Sequence, residues 1–442
     1  MKKLISLALI LVICISTASC GFITDLALSE HALALANEAE SVKFTDYSKD
    51  EGYKSFLLKL ESFSSRLTEK LCAEYGEENN IVVSPISVYM ALSLACECAD
   101  GETRQEILDA VGVTYDEVNQ YANKLYAFAN VDYRQMNALG APEVVAFQEL
   151  SNSIWLDDSV SFKQGGVNKL ASEYNCDVYQ ASFANGEAAR LINKYIENKS
   201  RGLIDGDVEL SPETYFVLMN TYYLKEIWND TGRNLSLTDE KIYFQNRDGS
   251  TTHTQLLVGY YTEGKAYDGE EFSSFYTTTE HGFRIYFFVP DEEWDLNHIF
   301  TAENISTVLN LEDWGYVDDE NMQLHHTRVL FPEFEAEFSE DIKGILANDF
   351  GIEALFDPQK CDMSGVTDEN VYCQGVIHKA ALKVDRTGIE GAAVTIMPMA
   401  GAAAPPPYEK VYHDFTVNCS FGFVMTDACG TVVFSGVINN ID

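Results

Sequence analysis

The residues from Gly388 to Pro407 form an unusual stretch of the 442-residue chain. They are small or apolar, uncharged apart from Glu390, and closed by Pro405, Pro406 and Pro407. The first half alternates: in an extended chain Ile389, Gly391, Ala393 and Thr395 share one face, and Glu390, Ala392 and Val394 the other. The chemistry open to such a run is that of the backbone, since it can add to a sheet as a strand. A low-complexity linker has a similar composition, but a linker rarely sits between a β-rich core and its terminal hairpin. Side-chain chemistry is scarce elsewhere. There is no G-x-S-x-G, no complete phosphate-binding G-x-x-x-x-G-K-[ST], no H-E-x-x-H and no dinucleotide fingerprint. His325 and His326 are adjacent, which on a strand sends them to opposite faces, so they read as surface or packing residues rather than metal ligands. With 69 acidic residues, neighbouring carboxylates are unavoidable and carry no weight. The chain is expected not to be an enzyme and to take no cofactor or metal.

The elements that would hold this stretch are legible in outline. Phe56, Leu60, Phe63, Leu67 and Leu71 recur at helical spacing and predict an amphipathic core helix. Ser84 and Pro85 mark the start of a second helix through Val88, Leu92 and Leu94. Thr103 and Glu106 have capping-box spacing ahead of Ile107 and Leu108. Further helices are expected near Phe162–Tyr174, Ala188–Lys199 and Asp341–Asp349. Strands dominate later: Phe283–Val289, then Phe421–Met425 and Val432–Ile438 around a tight Asp427–Gly430 turn. Helices early and strands late around one core predict an α+β class.

Formal charge is −39. That field repels nucleic acid and anionic surfaces; it serves either solubility or the capture of a cationic partner. At the N-terminus, Met1-Lys2-Lys3 and the apolar run Leu4–Ala18 make a signal sequence too short to span a membrane. It ends in Thr17-Ala18-Ser19-Cys20, which resembles a bacterial lipobox without the usual leucine. Residues 1–20 are therefore expected to be a lipoprotein signal peptide with lipid on Cys20, an ordinary signal peptide being the fallback. Residues 21–51 read as a tether and 52–442 as the globular domain. The chain is expected to be exported, lipid-anchored at the outer face or secreted, and monomeric. Of 10 cysteines, two lie in the signal region; the other eight read as mostly free, buried thiols.

An ordered set of motifs resembles the serpin family. Asn80-Ile-Val-Val-Ser-Pro-Ile-Ser87, Ile192-Asn-Lys-Tyr-Ile196 with Ser200-Arg-Gly-Leu-Ile204, and Leu218-Met-Asn-Thr-Tyr-Tyr-Leu-Lys-Glu-Ile-Trp228 are followed by Phe331–Phe334, Leu355–Asp357, Asp362–Gly365 and His378–Ala380. Each is weak alone, but together they cover roughly Gly52 to Asp442. The resemblance implies the serpin fold: helices on a large, mostly antiparallel central sheet, smaller sheets, and an exposed reactive-centre loop at about 386–407. It implies a hydrogen-bonded shutter of Ser84, Ser87, Asn220 and His378, with Trp228 where the loop enters the sheet. It further implies a suicide-substrate mechanism: a serine protease acylates itself on the loop, the cut loop adds as a central strand, and the distorted acyl-enzyme stalls.

The family's spacing places the scissile bond at Ala402–Ala403, with Met399–Ala400 as the alternative. Small or slim residues there suit an elastase-like partner, which the resemblance leads us to expect in covalent complex. The uncharged inward set Ile389, Gly391, Ala393 and Thr395 favours an inhibitor, because an unpaired charge is costly to bury. Arg386, Gly391 and Pro398 depart from the family's hinge pattern and suggest slow insertion. They keep a second reading open, a non-inhibitory serpin-fold binding or substrate protein on the cell surface.

Overall fold

The first apolar stripe folds as expected. Asp50 accepts from the backbone N–H of Gly52 and Tyr53 and so starts helix α1, Glu51–Tyr75, which buries Phe56, Leu60, Phe63, Leu67 and Leu71. The computed structural model describes residues 33–34 and 50–441, apart from 78, 137–141, 229–234, 261, 264–266, 292–294, 312–316, 319–322 and 390–408. Cys20, Gly391, Ala393, Thr395, Pro398, Met399, Ala400, Ala402 and Ala403 lie outside the described residues.

Helix α2, Pro85–Cys98, is apolar nearly all round and buries every residue except Ala91, which places it in the middle of the molecule. Pro85 takes the first turn, where a missing N–H costs nothing. Ser84 stands at the cap position without a side-chain capping bond; its hydroxyl is engaged elsewhere, as described below. Helix α3, Gly101–Val111, is capped by Asp100. This corrects the expected Thr103–Glu106 box. Buried Thr103 accepts from the Asp362 N–H, and Glu106 accepts from the N–H groups of Glu353 and Ala354, so both side chains serve another segment. The genuine capping box is Thr114 with Glu117, at the start of α4, Tyr115–Phe128. Helices α5, Gln164–Tyr174, and α6, Glu187–Lys199, follow, and Lys343–Asn348 forms a short later helix.

In chain order the principal strands are β1 Leu33–Ala34, β2 Ile81–Val83, β3 Asn130–Met136, β4 Pro142–Asp157, β5 Cys176–Ala181, β6 Phe216–Ile227, β7 Phe272–Thr278 and β8 Arg284–Pro290. Then come β9 Gln323–Phe331, β10 Phe334–Asp341, β11 Ile377–Val384, β12 Gly388–Ile389, β13 Glu409–Thr416, β14 Phe421–Thr426 and β15 Val432–Ile438. The eight-stranded central sheet runs β1-β5-β4-β6-β12-β11-β10, with β3 also on β4. Its pairs are antiparallel except β4 with β5. β1 places Leu33 and Ala34 of the expected tether on the edge of this sheet. A second sheet includes β7-β8-β14-β15-β2, in which β14 and β15 form the expected terminal hairpin. A third is built on β9, with β13 parallel to it. Helix α2 packs on one face of the central sheet. Helix α6 crosses the other, where Trp155 of β4 stacks on Tyr179 at 4.4 Å and meets Tyr195 edge-on at 5.8 Å. The fold is the α+β arrangement of helices on a large, mostly antiparallel sheet.

The cysteines with described surroundings are free thiols: Cys72, Cys96, Cys98 and Cys176 are buried, Cys361, Cys373 and Cys419 partly so, and Cys429 is exposed.

Candidate functional site

The central sheet is interrupted between β6 and β11, where β12 lies. β12 is antiparallel to both of its neighbours, so β6 and β11 run parallel to each other. Among the described residues β12 contributes Gly388 and Ile389, paired with Ile227 and Glu226. Among the described residues no ladder joins β6 to β11 below that point. At the top the two strands are therefore separated by a wedge that includes Gly388 and Ile389.

The wedge is made by local rules. Asp385 accepts from the N–H groups of Thr387 and Gly388 at 2.7 and 3.3 Å, and its own N–H donates to the Gly388 carbonyl at 3.1 Å, closing a tight turn. A Cβ on Gly388 would lie 2.1 Å from the Glu226 carbonyl oxygen, so only glycine permits the approach. Ile389 is fully buried. Trp228, also buried, donates its indole N–H to the Asp385 carbonyl at 2.6 Å and sits edge-on to Phe331. It thus braces the turn from which the hinge emerges. Arg386 is exposed; its backbone N–H donates to Glu333 and its carbonyl accepts from Leu235 N–H.

Beside this mouth lies a polar cluster that sequence reasoning missed. Glu226 of β6 is wholly buried, yet its carboxylate accepts from the Thr279 hydroxyl (2.7 Å), the His281 N–H (3.2 Å), the Ile227 N–H (3.1 Å) and His281 Nδ1 (2.6 Å). That satisfies a charge that would otherwise be costly to bury. His281 in turn stacks on Tyr133, with centroids 3.9 Å apart. Asp427, in the β14–β15 turn and close enough to Tyr133 to act on it, is also buried; burial pushes its carboxyl up to about 6, against bonds from backbone N–H groups including Cys429 and Thr431. Glu226 and His281 are far apart in sequence, so no local spacing could signal the pair.

Lower in the sheet, Ser84, Ser87 and His378 meet. The Ser84 N–H donates to His378 Nε2 at 3.1 Å, and the two serine hydroxyls lie 3.0 Å apart. All three are buried, and burial lowers the His378 pKa to about 4. Because Nε2 is an acceptor, the neutral ring carries its proton on Nδ1. Asn220 faces the same region from β6, but its amide N–H donates to Asn152 Oδ1 at 2.7 Å and to the Ser151 carbonyl, and no bond joins it to His378. Its Oδ1 is buried without a partner among the described residues. An unpaired acceptor on β6 and an unpaired donor on β11 therefore line the same opening.

His325 and His326, expected at the surface or in packing, are both buried on β9. His325 Nδ1 contacts His413 Nε2 at 2.7 Å, and His326 stacks on Tyr412. Among the described residues no group of three or more His, Cys, Asp or Glu could hold a metal ion.

The family model Serpin (serine protease inhibitor) matches residues 59–441. Relatives include Serpin-Z2B of Triticum aestivum, 26% identical over 389 residues and covering 82% of this chain and 90% of that protein. Iripin-1 of Ixodes ricinus is 27% identical over 370 residues, with the same coverage of both. Corticosteroid-binding globulin of Ovis aries is 25% identical over 352 residues, covering 77% and 78%. Among solved structures, the native state of the thermophilic serpin tengpin superposes with a TM-score of 0.70 at 20% identity, covering 93% of this chain and all of that one. With motifs, sheet opening and family model in agreement along most of its length, the chain belongs to the serpin family.

Proposed function

We propose that this serpin is an irreversible suicide-substrate inhibitor of elastase-like serine proteases. Serpins are mostly protease inhibitors, and the observation that carries the reading for this chain is the hinge. Gly388 and Ile389 already occupy the top of a slot between two parallel strands that, among the described residues, have no ladder of their own below. Continuing that register sets Thr395 opposite Asn220 and Met399 opposite Phe216, at the foot of β6. Ile389 faces the core, so Gly391, Ala393 and Thr395 face it too, and none is charged. A threonine hydroxyl at the Asn220 level can donate to Asn220 and accept from His378, answering both unpaired groups. The protease serine attacks the Ala402–Ala403 bond, releases the downstream chain and remains esterified to the loop. Insertion then drags the acyl-enzyme to the far end of the sheet and deforms its oxyanion hole.

The test is to mix the protein with pancreatic elastase and separate the products on a denaturing gel. A covalent band at the summed mass is expected, together with some clipped inhibitor; clipped chain with no complex at any ratio would sink the proposal. The second reading, a non-inhibitory binding or substrate protein, draws on Gly391 and Pro398 and predicts that latter result. The N-terminal 1–20 segment is proposed to direct export and lipid attachment at Cys20, with 21–51 as the tether and 52–442 as the inhibitory domain. Incorporation of labelled palmitate that disappears in Cys20→Ser checks the attachment; labelling that persists in the variant refutes it.

A further inference from the structure

Below the wedge, the space between β6 and β11 opens into a cavity of about 290 Å³. Ala91 and Leu92 of α2 line it from one side of the sheet, Ile192 and Ile196 of α6 from the other, and Leu218 and His378 from the two bordering strands. The walls are chiefly apolar, and Ala91, alone among the α2 residues in not being buried, is one of them. Two polar groups at this level are unspent. His378 Nδ1–H has no partner among the described residues, because Ser84 has fixed the other ring nitrogen as the acceptor. Asn220 Oδ1 is likewise unpartnered, its amide N–H being committed to Asn152 and Ser151. Burial holds His378 neutral at physiological pH, which preserves this donor–acceptor pair.

We infer that the cavity is a binding site for a compact apolar molecule carrying one hydroxyl, about the size of two fused aromatic rings. Size follows from volume: an apolar cavity of about 150 Å³ accepts a single benzene, and this one is about twice as large. Chemistry follows from the two unspent groups, since a hydroxyl accepts from His378 and donates towards Asn220, whereas a carboxylate would find the lining Lys379 already paired with Asp207 and would face Glu209 and Asp341. An occupant wedged between β6 and β11 stabilises the uncleaved protein by mass action. Binding to the uncleaved chain does not depend on the inhibitory reading, and failure of either leaves the other standing.

The experiment is titration calorimetry and thermal unfolding of the full, uncleaved chain with 2-naphthol, and in parallel with naphthalene, which lacks the hydroxyl. 2-Naphthol is expected to bind and raise the unfolding midpoint, and to bind about five- to tenfold more tightly than naphthalene, the worth of one net hydrogen bond. Filling the cavity from either wall, with Ala91→Leu or Ile192→Phe, is expected to abolish binding. Two variants on opposite helices are used so that poor folding of one, read by circular dichroism, leaves the other to decide. The inference is overturned by no heat and no shift up to the solubility limit, by equal affinity for the two compounds, or by unchanged binding in a filled variant that folds.

Discussion

Gly388 carries the tightest steric condition at the mouth of the sheet. Any Cβ there lands 2.1 Å from a backbone oxygen, and backbone, unlike a side-chain tip, cannot swing aside. Gly388→Ala is expected to expel β12 from the sheet while leaving the rest of the fold, at a cost of about 1–3 kcal/mol. Hydrogen exchange reads this directly: protection at Glu226, Ile227 and Ile389 should fall, while β14 and β15 keep theirs. Unchanged protection at Ile389 would refute the steric account. Residues such as Trp228 and His378 were legible because each sits inside a local motif. Glu226 and His281 were not, because a buried carboxylate finds its donors through tertiary packing, and a chain with 69 acidic residues offers no reason to single one out.

At the level of elements, two buried groups give strands of different sheets opposite pH dependences. His378 on β11 has its pKa lowered by burial from 6.5 to about 4, so its contribution is present above pH 6.5 and lost as pH falls through 4. Asp427, after β14, has its pKa raised by burial from 3.8 to about 6; its contribution is present below 3.8 and lost as pH rises through 6. Each shift is worth up to about 3 kcal/mol, and between pH 4 and 6 they oppose one another. Asp427→Asn keeps an oxygen acceptor for Cys429 and Thr431 but removes the buried charge. It is expected to raise stability at pH 7.5 and to unmask a steep loss of stability below pH 6, measured as urea midpoints across the range. A variant whose profile parallels the parent contradicts the assignment. Element boundaries read from periodicity stood within a few residues, yet the Thr103–Glu106 box did not form. The spacing S/T-x-x-E is shared with Thr114–Glu117, and only tertiary demand decides between them: Glu106 is claimed by the N–H groups of Glu353 and Ala354. α4 carries the real box and was missed for the same reason.

The whole molecule carries a central sheet that, among the described residues, is left unpaired along one seam below β12. Its unpaired edges, the 290 Å³ cavity and the lone donor and acceptor are all features that an added strand would remove. Stability of the uncleaved chain should therefore be well below that of the chain with its loop inserted. Cleavage near Ala402 without a trapped protease is expected to raise the thermal midpoint by tens of degrees, because a full strand adds ladder bonds along β6 and β11 and buries Thr395 at the Asn220 level. Thr395→Glu separates insertion from cleavage. The loop remains a substrate, but a charge would have to enter the cavity between Ala91 and Ile192, whose one lining lysine, Lys379, is already paired with Asp207, at a cost of several kcal/mol. The variant should be clipped by elastase at the parental rate, form no covalent complex, and keep its low midpoint after clipping. A clipped Thr395→Glu protein that gains the full thermal shift would mean that the loop does not enter along this register, and that the opening between β6 and β11 serves some other occupant.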